Sequence, residues 1–103
     1  GVVLPLMIGR PRSVQAIQKA VEEEARVLLL LQREEAVESP GEEDLFRVGT
    51  LSEVVRYIAD DDGRHHAICQ GQERARVVEF VSFDPLPIAR VEVIGEAEPE
   101  EDR

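Results

Sequence analysis

The 103-residue sequence is poor in the residues and patterns that carry chemistry. It holds one cysteine, Cys69, so an internal disulfide framework is excluded, and a lone thiol fits a reducing compartment. Its longest apolar run is Val27 to Leu31, five residues against the ~20 that a membrane-spanning helix needs. The first residues, Gly1-Val2-Val3-Leu4, meet a proline at once and then a charged segment, which is not the pattern of a signal peptide. A cytoplasmic protein is expected. Positive charge is scarce: 12 basic residues face 22 acidic ones, for a net charge of −10, which disfavours binding to a phosphate backbone. No P-loop, Gly-x-Gly-x-x-Gly, Gly-x-Ser-x-Gly or His-Glu-x-x-His occurs, and there is no internal repeat.

The acid that is present is concentrated. Arg33 to Asp44 carries −5 and Glu96 to Arg103 carries −4, which leaves −1 for the remaining residues. A loop and a tail hold nearly all of the excess, and the folded body is close to neutral. With 43% apolar residues the chain has enough for one modest core, and its length is that of one domain.

Val2 to Ile8 reads as extended chain, which Pro5 restricts to an edge. Gly9-Arg10-Pro11 is a helix start, because proline's missing N–H costs nothing at the first helical position. Val14, Ile17 and Val21, widened by Ala16 and Ala20, form the apolar stripe of a helix of about four turns. Glu22-Glu23-Glu24 crowds the negative end of its dipole, so fraying is expected there. Val27 to Leu31 is apolar without alternation, as in a strand covered on both faces. Arg33 to Asp44 is a loop. Phe46 to Ala59 is a strand region in which Gly49 marks a bend or bulge. Asp60-Asp61-Asp62-Gly63 is a hairpin turn, with Asp-Gly supplying positive φ angles. His65 to Gln70 returns, Gly71 to Arg74 breaks the strand, and Ala75 to Phe83 forms another. Asp84 to Pro87 turns the chain. Ile88 to Ile94 alternates, with Ala89, Val91 and Val93 inward. The expected fold is a mostly β α+β domain: about six strands in a curved or barrel-like antiparallel sheet, with one amphipathic helix.

Candidate chemistry is thin. His65 and Cys69 share one strand face and His66 takes the other, so two ligands converge where zinc needs at least three. A calcium loop fails because position 12 counted from Asp60 is Gly71, not Glu. Arg10, Arg74 and Arg76 could hold an anion, but arginines near turns more often pair with carboxylates or carbonyls. No catalytic, cofactor-binding or metal residue is assigned, and no cofactor is expected.

Four segments resemble a known family. Pro5-Leu6-Met7-Ile8-Gly9-Arg10-Pro11-Arg12-Ser13-Val14-Gln15-Ala16 resembles the PLFVGR-x-x-S-x-x-A stretch of the amino-terminal domain of the Lon ATP-dependent protease family. Asp44-Leu45-Phe46-Arg47-Val48-Gly49-Thr50 resembles its DLY-x-VGT stretch. Gly71 with Arg74, Ala75 and Arg76 resembles its V-x-G-x-x-R-x-x-V segment, and Ala89 to Val93 is similar to its closing strand. Departures fall at Met7, Pro11 and Cys69-Gln70.

The resemblance implies a PUA-like substrate-binding domain over residues 1–95, followed by an acidic tail over 96–103. In that family a strand and a Phe-Pro turn usually precede the point where Gly1 stands, so the first strand would be lacking and a sheet edge open. The implied function is recognition of unfolded or damaged protein for a serine protease that works as a hexamer. The catalytic machinery of that enzyme lies elsewhere, and no nucleic acid or membrane partner is expected. The alternative is a stand-alone binding module of the same fold; a Walker A motif beyond Arg103 would separate the two. A third reading, a small metal-dependent enzyme, rests only on the His–Cys cluster. Leu4, Leu6 and Met7 are candidate substrate contacts, with ordinary core packing as the competing account. The 103-residue chain is expected to hydrolyse neither ATP nor protein, as phosphate release and peptide cleavage by protein free of contaminating ATPase will check.

Overall fold

The computed structural model describes residues 2–34, 41–83 and 86–96. Chain order is strand β1 (Val2–Ile8), helix α1 (Pro11–Glu23), strand β2 (Arg26–Leu29), a 3₁₀ turn (Glu42–Asp44), then strands β3 (Val48–Ala59), β4 (His65–Ser82) and β5 (Ile88–Glu96). All pairings are antiparallel in one five-stranded sheet of order β1-β4-β3-β2, with β5 also on β4. Glu73 to Arg76 pair with β3 and β5 at once, so β5 shares the β4 edge that β1 occupies further along. The mostly β, one-helix expectation holds. The sheet is curved but not a closed barrel, since β1 and β2 end the order without meeting.

Five strands replace the six expected, because β4 runs unbroken through Gly71 to Arg74. At ~3.3 Å per residue, 18 residues would reach about 55–60 Å, but the molecule's longest dimension is 41 Å. The strand therefore bends, and the pairing shows where. Between Leu51↔Glu73 and Ser52↔Gly71 one extra residue, Gln72, stands in β4. That bulge absorbs the turn-forming signal without ending the ladder. Further extra residues are Val55 in β3, Val78 and Val81 in β4, and Ile94 in β5.

The helix starts at Pro11 as its sequence dictates. It ends at Glu23 rather than fraying: Glu24 takes the left-handed conformation (φ 56°), its N–H reaching Val21 O, while Ala25 N–H reaches Ala20 O at 2.8 Å. Those two bonds satisfy carbonyls that a helix end would leave open. Ile17 and Ala20 are buried, and Val14 packs on the core. Val21 is exposed (43%) instead of completing the stripe, and Ala20 takes the buried position in that turn.

Beneath the helix, Ile8, Ile17, Ala67 and Cys69 form the core, with Leu4, Leu6, Val27, Leu29, Val54 and Tyr57 packed around it. The inward side of β4 is built from small residues, Ala67, Cys69, Gly71 and Ala75. Small side chains let neighbouring elements approach a strand closely.

The apolar run from Val27 is half-buried on both faces through Leu30 and not fully covered. β2 pairs with β3 alone and stops at Leu29, and Leu31 is 75% exposed. Gly49 matters for a different reason from the bend expected of it. The bulges fall at other residues, and a Cβ at Gly49 would strike the Leu29 carbonyl oxygen and come within 2.7 Å of Leu30 Cδ2. The turn after β3 is a three-residue loop in which Gly63 alone takes positive φ (82°). Asp60 N–H bonds to Arg64 O, and Gly63 N–H to Asp60 O. The acidic segment falls partly on residues 35–40 and the tail on 97–103, outside the described residues; Glu96 closes β5.

Gly49→Ala should cost about 1–3 kcal/mol in denaturant unfolding, because the obstructing atom is backbone. Gly95→Ala, with nothing within 4 Å of the added carbon, should change stability by less than about 0.5 kcal/mol.

Candidate functional site

The titratable cluster at the hairpin serves the fold. Gln18 Nε2 donates to the Tyr57 hydroxyl at 3.0 Å, and that hydroxyl shares a hydrogen bond with His65 Nδ1 at 2.6 Å. The bond ties α1 to β3 and β4, and the two rings stack at 6.0 Å. Cys69 is fully buried two rows away, and burial pushes its thiol up from the ordinary value. His66 points to the opposite face, where Nε2 lies 3.5 Å from Asp60 Oδ2. The backbone N–H of Arg64, joined by that of Asp62, holds the Asp60 carboxyl below its ordinary value. Among the described residues, no three His, Cys, Asp or Glu side chains gather as a metal site would need. Arg76 pairs with Glu92 at 2.7 Å, the commoner use of an arginine.

What the structure offers is a surface. Along β1, burial alternates: Leu4, Leu6 and Ile8 face the helix side, while Val3, Pro5 and Met7 face out. Leu4 and Leu6 are thus placed in the packing around the core, and Met7 is 72% exposed. Register carries the outward side across the sheet. Met7 lies opposite His66 and then Ile58; Pro5 lies opposite Ile68 and then Arg56; Val3 lies opposite Gln70 and then Glu53. Val55, turned out by its bulge, is exposed beside them. Val3, Pro5, Met7, Val55, Ile58 and Ile68 therefore make an apolar patch on the face opposite α1. Only Met7 of this set was a sequence candidate. Alternation along β3 and β4 carries the signal for Ile58 and Ile68, but nothing local marks Val55, whose direction depends on a register slip between two strands.

Three comparisons place the chain. The family model of the ATP-dependent protease La (LON) substrate-binding domain matches residues 1–103. Lon protease of Desulfovibrio desulfuricans is 43% identical over 100 residues, covering 97% of this chain and 11% of that protein. Lon protease of Phenylobacterium zucineum is 41% identical, covering 97% of this chain and 13% of that protein. The crystal structure of a Lon N-terminal domain protein from Xanthomonas campestris superposes with a TM-score of 0.66 at 14% identity, over 93% of this chain and 53% of that one. The chain belongs to the LON substrate-binding domain family. It spans about one-eighth of the Lon proteases it matches, and its 103 residues include neither a nucleotide-binding loop nor a nucleophile motif. No helix among the described residues is long and apolar enough to cross a membrane.

Cys69 should react with a thiol reagent in native protein far more slowly than in denaturant, since burial suppresses both access and the thiolate. Comparable rates in the two conditions would contradict its placement.

Proposed function

We propose that this domain captures unfolded or damaged polypeptide for an ATP-dependent Lon-type protease, holding it against the outward face of β1, β4 and β3. The observation that supports this most is the patch itself. Six apolar residues stand together on one sheet face, with no helix or strand over them among the described residues. Clustered exposed apolar residues mark interaction sites far more often than scattered ones do. Met7 at its rim accommodates partners of varied shape through its flexible thioether. The body of the domain is near neutral, so affinity comes from apolar contact rather than long-range steering.

A single shallow face binds weakly, with a Kd of ~10 μM to 1 mM, and the hexamer expected of a Lon protease makes capture effective by presenting several copies. The proposal needs no cofactor, nucleic acid or membrane and places the protein in the cytoplasm. A stand-alone binding module would use the same face, but the match of nearly the whole chain to Lon proteases favours the protease context.

Titrating a labelled unfolded protein with the domain tests the proposal. Micromolar-to-millimolar binding that persists at 1 M salt is expected. Met7→Asp with Val3→Asp should weaken it at least tenfold while leaving thermal stability nearly unchanged, because these edge-strand side chains are 72% and 64% exposed. Absence of binding at millimolar domain, or binding unaffected by the double substitution, would overturn it.

A further inference from the structure

The outward face is not uniformly apolar, and its charges are unequally engaged. Glu53, at the end of the Val3–Gln70 row, accepts from Gln72 Nε2 at 3.4 Å. Asp60, at the hairpin end, accepts from the Asp62 and Arg64 N–H groups at 3.0 Å each and faces His66. Arg56 stands between them, beside Ile68 and next to Val55. Unlike Arg26, Arg76 and Arg90, each within 3 Å of a carboxylate oxygen, its guanidinium has no hydrogen-bond or ion-pair partner among the described residues. On this face Glu53 and Asp60 are engaged, and a permanent cation at the β3 edge of the apolar patch is not.

We infer that the face selects extended segments in which an acidic side chain is flanked by apolar ones, with the carboxylate taken by Arg56. This rests on the capture role proposed above and names its substrate class. A guanidinium presents parallel N–H groups that match a carboxylate two-to-two. Apolar side chains of a bound segment shield that pair from water, which strengthens it. An extended chain repeats its side-chain direction every second residue, so apolar–acidic–apolar at i, i+2, i+4 matches apolar and charged positions laid out on a pleated sheet. A lysine or arginine at the central position meets Arg56 and is rejected by like charge. The preference opposes the chain's net charge of −10, so the long-range field of the protein cannot be its source.

Three labelled peptides with identical apolar residues and a central Glu, Gln or Lys, titrated at ~0.15 M salt, provide the test. Wild-type protein is expected to bind in the order Glu, Gln, Lys over a total range of about tenfold, the effect of a partly shielded ion pair. Arg56→Ala should flatten the order while still binding the Gln peptide, and Arg56→Glu should reverse it. Lys19→Glu, which alters net charge equally from the helix on the other side of the sheet, should leave the order intact. Equal binding of all three peptides by wild type, or the same reversal from Lys19→Glu, overturns the inference and leaves the capture role standing. Failure of all three to bind at millimolar protein removes the capture role itself.

Discussion

Every other strand takes its position from β4. It is the partner of β1, β3 and β5, and through β3 it holds β2. Its 18 residues cannot run straight through a molecule 41 Å long, so the strand must curve. Curvature in a sheet is obtained by letting one strand carry a residue that its neighbour lacks. The bulges at Gln72, Val78 and Val81 do this in β4, and Val55 and Ile94 do it in its partners. On the helix side, Ala67 and Cys69 pack in one cluster with Ile8 and with Ile17 of α1. A bulkier residue at either position would collide with those two side chains.

The same constraint shapes the surface. The core holds few large side chains, Ile8, Ile17, Leu51 and Val77 among them, and Cys69 and Ser52 are the largest that are fully enclosed. Large apolar residues are therefore left outside. Four of the five bulge positions, Val55, Val78, Val81 and Ile94, are β-branched aliphatic residues, and all four are exposed. The features that bend the sheet also turn apolar side chains toward solvent. Of these four, Val55 belongs to the apolar patch beside β1 and β4.

The ion pairs of the sheet add little to stability. The cross-strand pairs Arg76–Glu92 and Arg90–Glu79 sit on exposed β4 and β5 positions, and Arg26–Glu73 is similarly open, so each contributes little to folding. Arginine also packs on aromatic rings: Arg12 lies 4.4 Å from the centre of Phe83 and Arg47 lies 5.4 Å from that of Phe80. These contacts join the start of the helix and the approach to β3 with the far end of β4. The near-neutral body leaves individual charges, Arg56 among them, to act locally.

Much of this was legible in the residues. Pro11 fixed where the helix starts, because its ring sets φ and needs no hydrogen bond there. The Asp60–Gly63 turn, the alternation of β1 and the inward Ala89 and Val91 follow from local stereochemistry, whereas Val93, expected inward with them, is 48% exposed beside the bulge at Ile94; the family resemblance rests on short motifs in order. What misled was also local. Gly71 to Arg74 has the composition of a break, yet pairing on both sides carries the strand through it. Val27 to Leu31 has the composition of a buried strand, yet β2 is an edge and Leu31 faces water. Leu4, Leu6 and Met7 were alike as apolar candidates until the register sent two inward and one outward. Helix starts and turns depend on dihedral preferences of neighbouring residues, which a sequence carries. Burial, edge position and the direction of a bulged residue such as Val55 depend on which strands pair and with what slip, which only the assembled sheet decides.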